Sequence, residues 1–250
     1  MKDKIILSIF IPVYNESLII ENTIKKSLAS IEQLKLNFEL VITDDGSEDE
    51  TSEIVRRMMI KDKRIRLFRK NKNYGRGEIL NLAFRTAKGD IVAFYDADLS
   101  VDLSYLPSLI HSIKDLNYDV ATGSRWLKGA KVKRGLSRLF ISFLYNKIIS
   151  FIFDTKLKDH QCGFKGFKKH VILNLVKYMG VDKYRRWSWD TELLLRSQMM
   201  GYKIHEFPIN FEEKRRTKTK LIRDSIVVSR HIFKLYLTFL FHRIKNLFLT

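Results

Sequence analysis

Residues 90–100 read Asp90-Ile91-Val92-Ala93-Phe94-Tyr95-Asp96-Ala97-Asp98-Leu99-Ser100. A short run of β-branched and aromatic side chains passes directly into two aspartates separated by one small residue. The run is a strand candidate with a polar end. The same design occurs twice upstream, where Ile5–Ile11 leads into Pro12-Val13-Tyr14-Asn15-Glu16 and Phe38–Thr43 leads into Asp44-Asp45-Gly46-Ser47. Arg64–Arg69 is a further strand candidate. Helical patterns near Ser17–Ser30, Glu50–Met59, Gly77–Ala87 and Ser104–Leu116 alternate with these runs, and Asp49 is an expected N-cap for the second. This alternation predicts an α/β fold, a mainly parallel sheet covered by helices on both faces. In such a sheet, ligands bind at the carboxyl ends of the strands. Turn chemistry explains one Asp-rich end. Three converging on one sheet edge point to a site.

Composition narrows the class. The 250 residues are 45% hydrophobic, with 3 Pro, 11 Gly and one Cys, which excludes a disordered chain, a fibrous protein and a disulfide scaffold. Lys and Arg number 46 against 28 Asp and Glu, a net charge of +18. That charge is unevenly spread. Residues 1–124 hold 18 basic and 19 acidic residues, whereas residues 125–250 hold 28 and 9, a net +19. A basic second half implies an anionic partner: phosphate, nucleic acid or membrane surface.

Cys162 has no partner for an internal disulfide, which suits a reducing compartment. No signal peptide is read at Met1-Lys2-Asp3-Lys4. No charge-free stretch reaches the roughly 20 residues of a conventional transmembrane helix. Two segments instead resemble interface helices, 135–153 and 221–250. In the first, Arg138, Ser142, Asn146 and Ser150 recur every fourth position among Phe, Ile and Leu, forming one narrow polar stripe. These features divide the chain into 1–134, an interface helix at 135–153, a stretch at 154–220, and a basic interface helix at 221–250. The expected location is the cytoplasmic face of a membrane, peripheral or monotopic.

Asp96 and Asp98 are the most informative pair. Two carboxylates at a strand end can share a hard divalent cation with phosphate oxygens, an arrangement suited to a nucleotide diphosphate. The loop Lys72-Asn73-Tyr74-Gly75-Arg76-Gly77 precedes a helix, where small residues allow close approach to an anion. It lacks the Lys-Ser/Thr ending of a Walker A loop. Arg185–Arg186 and Lys214–Arg216 read as solvated or membrane-facing charge, Trp187 and Trp189 as core or interface residues, and Cys162 as a small buried residue. Asp159, Asp190 and Glu192 read as helix caps or ion-pair partners.

IPVYNE at 11–16, TDDGS at 43–47, the NYGRG loop, DADLS at 96–100 and GSR at 123–125 together resemble the family 2 glycosyltransferases, whose GT-A fold is a Rossmann-like, mainly parallel sheet flanked by helices. Within them the chain is similar to the polyprenyl-phosphate (dolichyl-phosphate) hexosyltransferases. DHQCGFK at 159–165 and RWSWDTELL at 186–194 are closer to the glucose synthases than to the mannose synthases. The resemblance covers Ile5 to Leu221.

By that resemblance, Pro12, Tyr14, Asn15, Glu16, Asp44 and Asp45 line the base and ribose pocket, and Gly75 and Arg76 flank the nucleotide. Asp96, Ala97 and Asp98 meet the sugar diphosphate, with Mg²⁺ or Mn²⁺ on Asp96, Asp98 and Ser100. Arg125, Arg134, Arg138, Ser142, Asp159 and Asp190 form the acceptor-phosphate side, and Asp98, Arg125 and Arg138 are the implied catalytic groups. Lys220 resembles the lysine of a Ser-Lys-Leu motif closing over the diphosphate. There are two departures: Ser100 stands where mannose synthases often carry Gln, and Thr217–Lys220 lacks the usual Gly and Ser.

The implied reaction is inverting transfer of a hexose, glucose from UDP-glucose first, to a polyprenyl or dolichyl monophosphate at a membrane surface. A phosphate nucleophile is already anionic, so catalysis needs positioning, a metal and cations rather than a general base. GDP-mannose, UDP-N-acetylglucosamine or a glycan hydroxyl acceptor are the alternatives, the last requiring a base near Asp98. Nucleic-acid binding ranks below these, because strand-end carboxylates would repel a phosphate backbone.

Overall fold

The computed structural model describes residues 4–179, 188–214 and 229–241. Alternating strands and helices build the first half: β1 (Leu7–Val13), α1 (Ile20–Glu32), β2 (Phe38–Asp44), α2 (Thr51–Lys61), β3 (Ile65–Arg69), α3 (Arg76–Phe84) and β4 (Ile91–Tyr95). Next come α4 (Leu106–Lys114), β5 (Val120–Ser124), the short β6 (Lys131–Lys133) and the long α5 (Leu136–Phe153). β7 (Phe164–Lys168), α6 (Lys169–Met179), α7 (Trp189–Met199), β8 (Ile204–Pro208) and β9 (Asn210–Glu212) follow, and residues 229–241 are helical.

Seven strands form one sheet in the order β3-β2-β1-β4-β7-β5-β8. All run parallel except β7, which pairs antiparallel with both β4 and β5. Strand residues alternate between two cores, as a period of two requires. Leu7, Ile9 and Ile11 pack with Ile24, Ile54 and Leu109 of α1, α2 and α4. Phe10, Val92 and Phe94 pack with Phe84, Ile172 and Trp189 of α3, α6 and α7. The sheet is therefore buried on both faces, as expected.

Local boundaries differ from the sequence pattern for identifiable reasons. α1 begins at Ile20 rather than Ser17, because the Ser17 N–H donates to the Asp49 carboxylate at 3.0 Å. Glu50, not Asp49, is the N-cap residue of α2. Asp49 still accepts the Thr51 N–H at 3.0 Å, so it serves the helix start from one residue earlier.

The polar stripe of α5 faces the protein, and its apolar residues face outward. Ser142 and Asn146 are buried, whereas Leu136 is 83% and Phe151 90% exposed, with Phe140, Ile141, Phe143, Leu144 and Ile148 also open. A small apolar cluster of Ile149, Phe153, Leu195, Ile232 and Leu235 joins α5 to α7 and to helical residues 229–241. Among the described residues α5 is the one helix long and apolar enough to cross a membrane, with 18 residues and a mean hydropathy of 1.4.

Close packing between α3 and α7 generates a test. A Cβ on Gly77 would stand 2.3 Å from Cγ of Trp189. Gly77→Ala, which in an open helix stabilises by about 1 kcal/mol, is expected here to destabilise by about 1–3 kcal/mol. Urea unfolding measures the sign.

Candidate active site

Strand direction assembles the site. Because β1, β2, β4, β5 and β8 are mutually parallel, their carboxyl ends share one edge. The antiparallel β7 starts at that edge and brings Asp159–Gly163 to it. β1 and β4 are neighbours at the point where the strand order reverses, the usual ligand position in an open α/β sheet.

Asp96 and Asp98 follow β4 directly. Thr23 Oγ1 donates to the Ala97 carbonyl at 2.7 Å, tying the loop to α1, and Asp98 Oδ1 accepts the Ser100 N–H at 2.9 Å. Oδ1 of Asp96 accepts Nε of Arg76 at 2.6 Å, and Nη1 of Arg76 donates to Asp190 Oδ2 at 2.6 Å. Asp190 Oδ1 in turn receives Nζ of Lys165 at 2.8 Å, a lysine with no solvent exposure. Arg76 lies 5.4 Å from the Phe94 ring centre and 5.9 Å from that of Trp189. Removal from water raises the Asp96 carboxyl above its ordinary range; Asp98 and Asp190 add to this and Arg76 opposes it.

These residues fit a divalent cation. The second Asp96 oxygen lies 2.1 Å from where a Cβ on Gly163 would stand, so the carboxylate occupies room that only glycine leaves. The described residues contain no group of three or more His, Cys, Asp or Glu able to hold a metal. Two carboxylates leave the remaining positions to water and phosphate oxygens, the pattern of Mg²⁺ sites completed by a diphosphate.

The proposed base-side residues are knitted to one another. Asn15, with φ of 55°, receives the Glu48 N–H on its side-chain oxygen at 2.9 Å, and its own N–H donates to Ser47 Oγ at 3.0 Å. Tyr14 is part exposed beside it, Pro12 is buried within β1, and the Glu16 N–H donates to Thr51 Oγ1 at 2.8 Å. Asp44 is fully buried and accepts the Ser47 N–H and the Ser52 hydroxyl. Asp45 accepts the N–H groups of Tyr74 and Gly75 at 2.8 and 2.7 Å, fixing the loop ahead of α3. A cleft of about 590 Å³ lies beside these ends, lined by Ser47, Glu50, Arg69 and Asn71 among others.

Arginines gather on the other side. Arg125 directly follows β5 and forms a two-pronged pair with Asp159 at 2.6 and 2.8 Å, and its N–H also donates to that carboxylate. Arg134 and Arg138 meet Oε1 of Glu213 at 3.1 and 2.9 Å. Phe211 lies under both Arg125 and Arg134. Burial and the charge of Arg125 lower the affinity of Arg134 for its proton. The Glu212 N–H donates to the Ser100 carbonyl at 2.8 Å, so β9 links the Asp98 loop to this cluster. One turn beyond Arg138, the buried Ser142 hydroxyl has no hydrogen-bond partner among the described residues.

Asn146 Oδ1 accepts the His160 N–H and its Nδ1–H at 2.8 and 2.9 Å, joining α5 to the segment before β7. Burial carries the His160 imidazole down to about 4, so the ring is neutral.

Glu192 is an ion-pair partner of Arg196 and is hydrogen-bonded to His231 at 3.1 Å. Lys220, Arg185, Arg186 and Trp187 lie outside the described residues. Trp189 is core, and Cys162 is buried with its thiol pushed up to about 12. The sequence reading assigned no role to Lys165, Glu213, Asn146 or His160. Asn146 had a signal in the every-fourth-residue stripe and Lys165 in DHQCGFK, whereas Glu213 had none.

Burial alone would raise the Asp159 carboxyl, but the Arg125 charge and its hydrogen bonds carry it down to about 2 from an ordinary 3.8. The pair therefore stabilises the fold above pH 3.8 and ceases to do so as pH falls through about 2. Asp159→Asn leaves Arg125 buried without its counter-charge and is expected to cost about 3–5 kcal/mol at pH 7 in urea unfolding.

The profile described as "Glycosyl transferase family 2" matches residues 8–176. Glycosyltransferase AglD of Haloferax volcanii is 36% identical over 91% of this chain, which spans 36% of that protein's length. Dolichyl-phosphate beta-glucosyltransferase ALG5C of Trichomonas vaginalis is 30% identical over 84% of the chain and 65% of its own length. The dolichyl-phosphate beta-glucosyltransferase of Saccharomyces cerevisiae is 28% identical over 95% of the chain and 76% of its length. Among solved structures, glucosyl-3-phosphoglycerate synthase from Mycobacterium tuberculosis, in complex with Mn²⁺, UDP and phosphoglyceric acid, aligns with a TM-score of 0.67 at 16% identity. That alignment covers 92% of this chain and 78% of the other. The same enzyme has also been crystallised with Mg²⁺ and UDP. The fold is thus of the GT-A type, and with a profile match across more than half its length the chain belongs to glycosyl transferase family 2.

Proposed function

We propose that the protein transfers glucose from UDP-glucose to a polyprenyl or dolichyl monophosphate at a membrane surface, inverting the anomeric carbon. The observation that carries this reading is α5. A single helix turns Ser142 and Asn146 into the protein while exposing Phe140, Phe143, Leu144 and Phe151. In water that orientation leaves a wide apolar face exposed, and a lipid interface satisfies it. The same helix carries Arg138 beside the unpartnered Ser142 hydroxyl, so a phosphate on a lipid anchored at this face meets cations at its own depth.

Asp96 and Asp98 would hold Mg²⁺ or Mn²⁺, which when bound offsets charge on the departing diphosphate. Tyr14, Asn15 and Glu16 stand at the β1 end to receive the base and ribose. Arg134 and Arg138 draw the acceptor phosphate in, Ser142 donates a hydrogen bond to it, and the Arg125–Asp159 pair fixes the β5 end against the segment before β7. The acceptor oxygen is already anionic, so no side chain has to remove a proton before attack. In-line displacement on an α-linked donor gives a β-linked lipid phosphate sugar. The relatives named as dolichyl-phosphate beta-glucosyltransferases support glucose over mannose.

Purified protein, Mn²⁺ or Mg²⁺, a short polyprenyl phosphate and each labelled nucleotide sugar are mixed and extracted into organic solvent. Label from UDP-glucose is expected in the lipid phase, reduced on the order of 100-fold or more by Asp98→Ala. Lipid-soluble label from no donor, or full activity in that variant, sinks the reading. Arg138→Ala is expected to raise KM for the lipid phosphate roughly 10- to 100-fold with donor KM unchanged. The Phe140→Ser, Phe151→Ser double variant is expected to lose at least roughly tenfold in partitioning to liposomes.

A further inference from the structure

Asp96 already has a cation. Nε of Arg76 sits 2.6 Å from its Oδ1, at a carboxylate assigned to the metal. The other prong of the guanidinium is anchored by Asp190, also at 2.6 Å. Its third nitrogen, Nη2, is closed off from water and has no acceptor among the described residues. Asp96 and Asp190, with Asp98 close enough to act on Asp96, therefore meet the fixed cations Arg76 and Lys165 before any ion or diphosphate arrives. An unmet guanidinium N–H in such a place costs free energy, and a phosphate oxygen is the acceptor best suited to it.

We propose that Arg76 is the resident counter-cation of the metal site: it competes with the divalent ion for Asp96, and turns from that carboxylate onto a donor diphosphate, where Nη2 gains the acceptor it lacks. This rests on the reading that Asp96 and Asp98 hold the ion. It goes further in making Arg76 an opponent of the metal alone and an ally of the metal together with the diphosphate. Binding of ion and nucleotide is then coupled by the protein as well as by the phosphates, and the empty site is protected from adventitious cations.

The alternative role is purely structural, with Arg76 holding Asp96 in a shape the metal needs. The two roles predict opposite signs. Mn²⁺ alone is titrated into the full chain, with free Mn²⁺ read by electron paramagnetic resonance and no sugar or acceptor present. Arg76→Met is expected to bind Mn²⁺ on the order of tenfold more tightly than the unmodified protein, because Asp96 then has lost the cation that occupies it. Adding UDP is expected to improve Mn²⁺ affinity less in the variant than in the unmodified protein. Arg76→Lys, which keeps the charge, should stay near the unmodified value.

Weaker or equal Mn²⁺ binding by a folded Arg76→Met protein overturns the proposal, as does Arg76→Lys behaving like Arg76→Met. Arg76→Gln, which keeps a donor for Asp96 but not the charge, carries the same test if the methionine variant does not fold. The titration involves neither hexose nor lipid, so failure of the transfer assay leaves it standing. Absence of Mn²⁺ binding in every form overturns it together with the metal half of the proposed function.

Discussion

Carboxylates crowd one edge of the sheet, and their neutralisation organises the rest of the molecule. Asp96, Asp98, Asp159 and Asp190 come from three separate stretches of chain. Buried or half-buried acids are tolerated only when each finds a cation or donors. Arg76 bridges Asp96 and Asp190, Lys165 completes Asp190 from within the core, and Arg125 clasps Asp159 with two prongs. Each of these pairs joins two different elements. Charge balance is thus what locks α3, α7, β5 and the entry to β7 onto a common edge.

That balance depends on the single reversed strand. Had β7 run parallel to its neighbours, its start would lie at the opposite edge, carrying Asp159 and Gly163 away from Arg125 and Asp96. β9 completes the enclosure by bonding the Ser100 carbonyl and placing Phe211 and Glu213 under the arginines. The carboxylates after β4 and the arginines around Glu213 therefore belong to one continuous hydrogen-bonded edge.

Helix α5 reverses the usual rule for a surface helix. Its polar face is the buried one because Asn146 must meet His160, and its apolar face is left outside. The every-fourth-residue spacing of its polar side chains was plain in the sequence. Which side they faced was not, since an amphipathic pattern fixes an angle around the helix axis and not what lies on each side.

Local chemistry accounts for what the sequence by itself determined. The alternation of strands and helices, the Asp96/Asp98 pair and the Arg138/Ser142 spacing each arise within a few residues, where backbone period and turn chemistry act directly. What only the tertiary structure decided involves partners far apart in the chain: Arg76 with Asp190, Lys165 buried beneath it, Gly163 making room for Asp96, Asn146 holding His160. No periodicity encodes these, because each becomes favourable only after the sheet order has brought distant charges close enough to need one another. The carboxylates of residues 96 and 98 stood out in the sequence as a pair; that Arg76 faces one of them was settled by the fold.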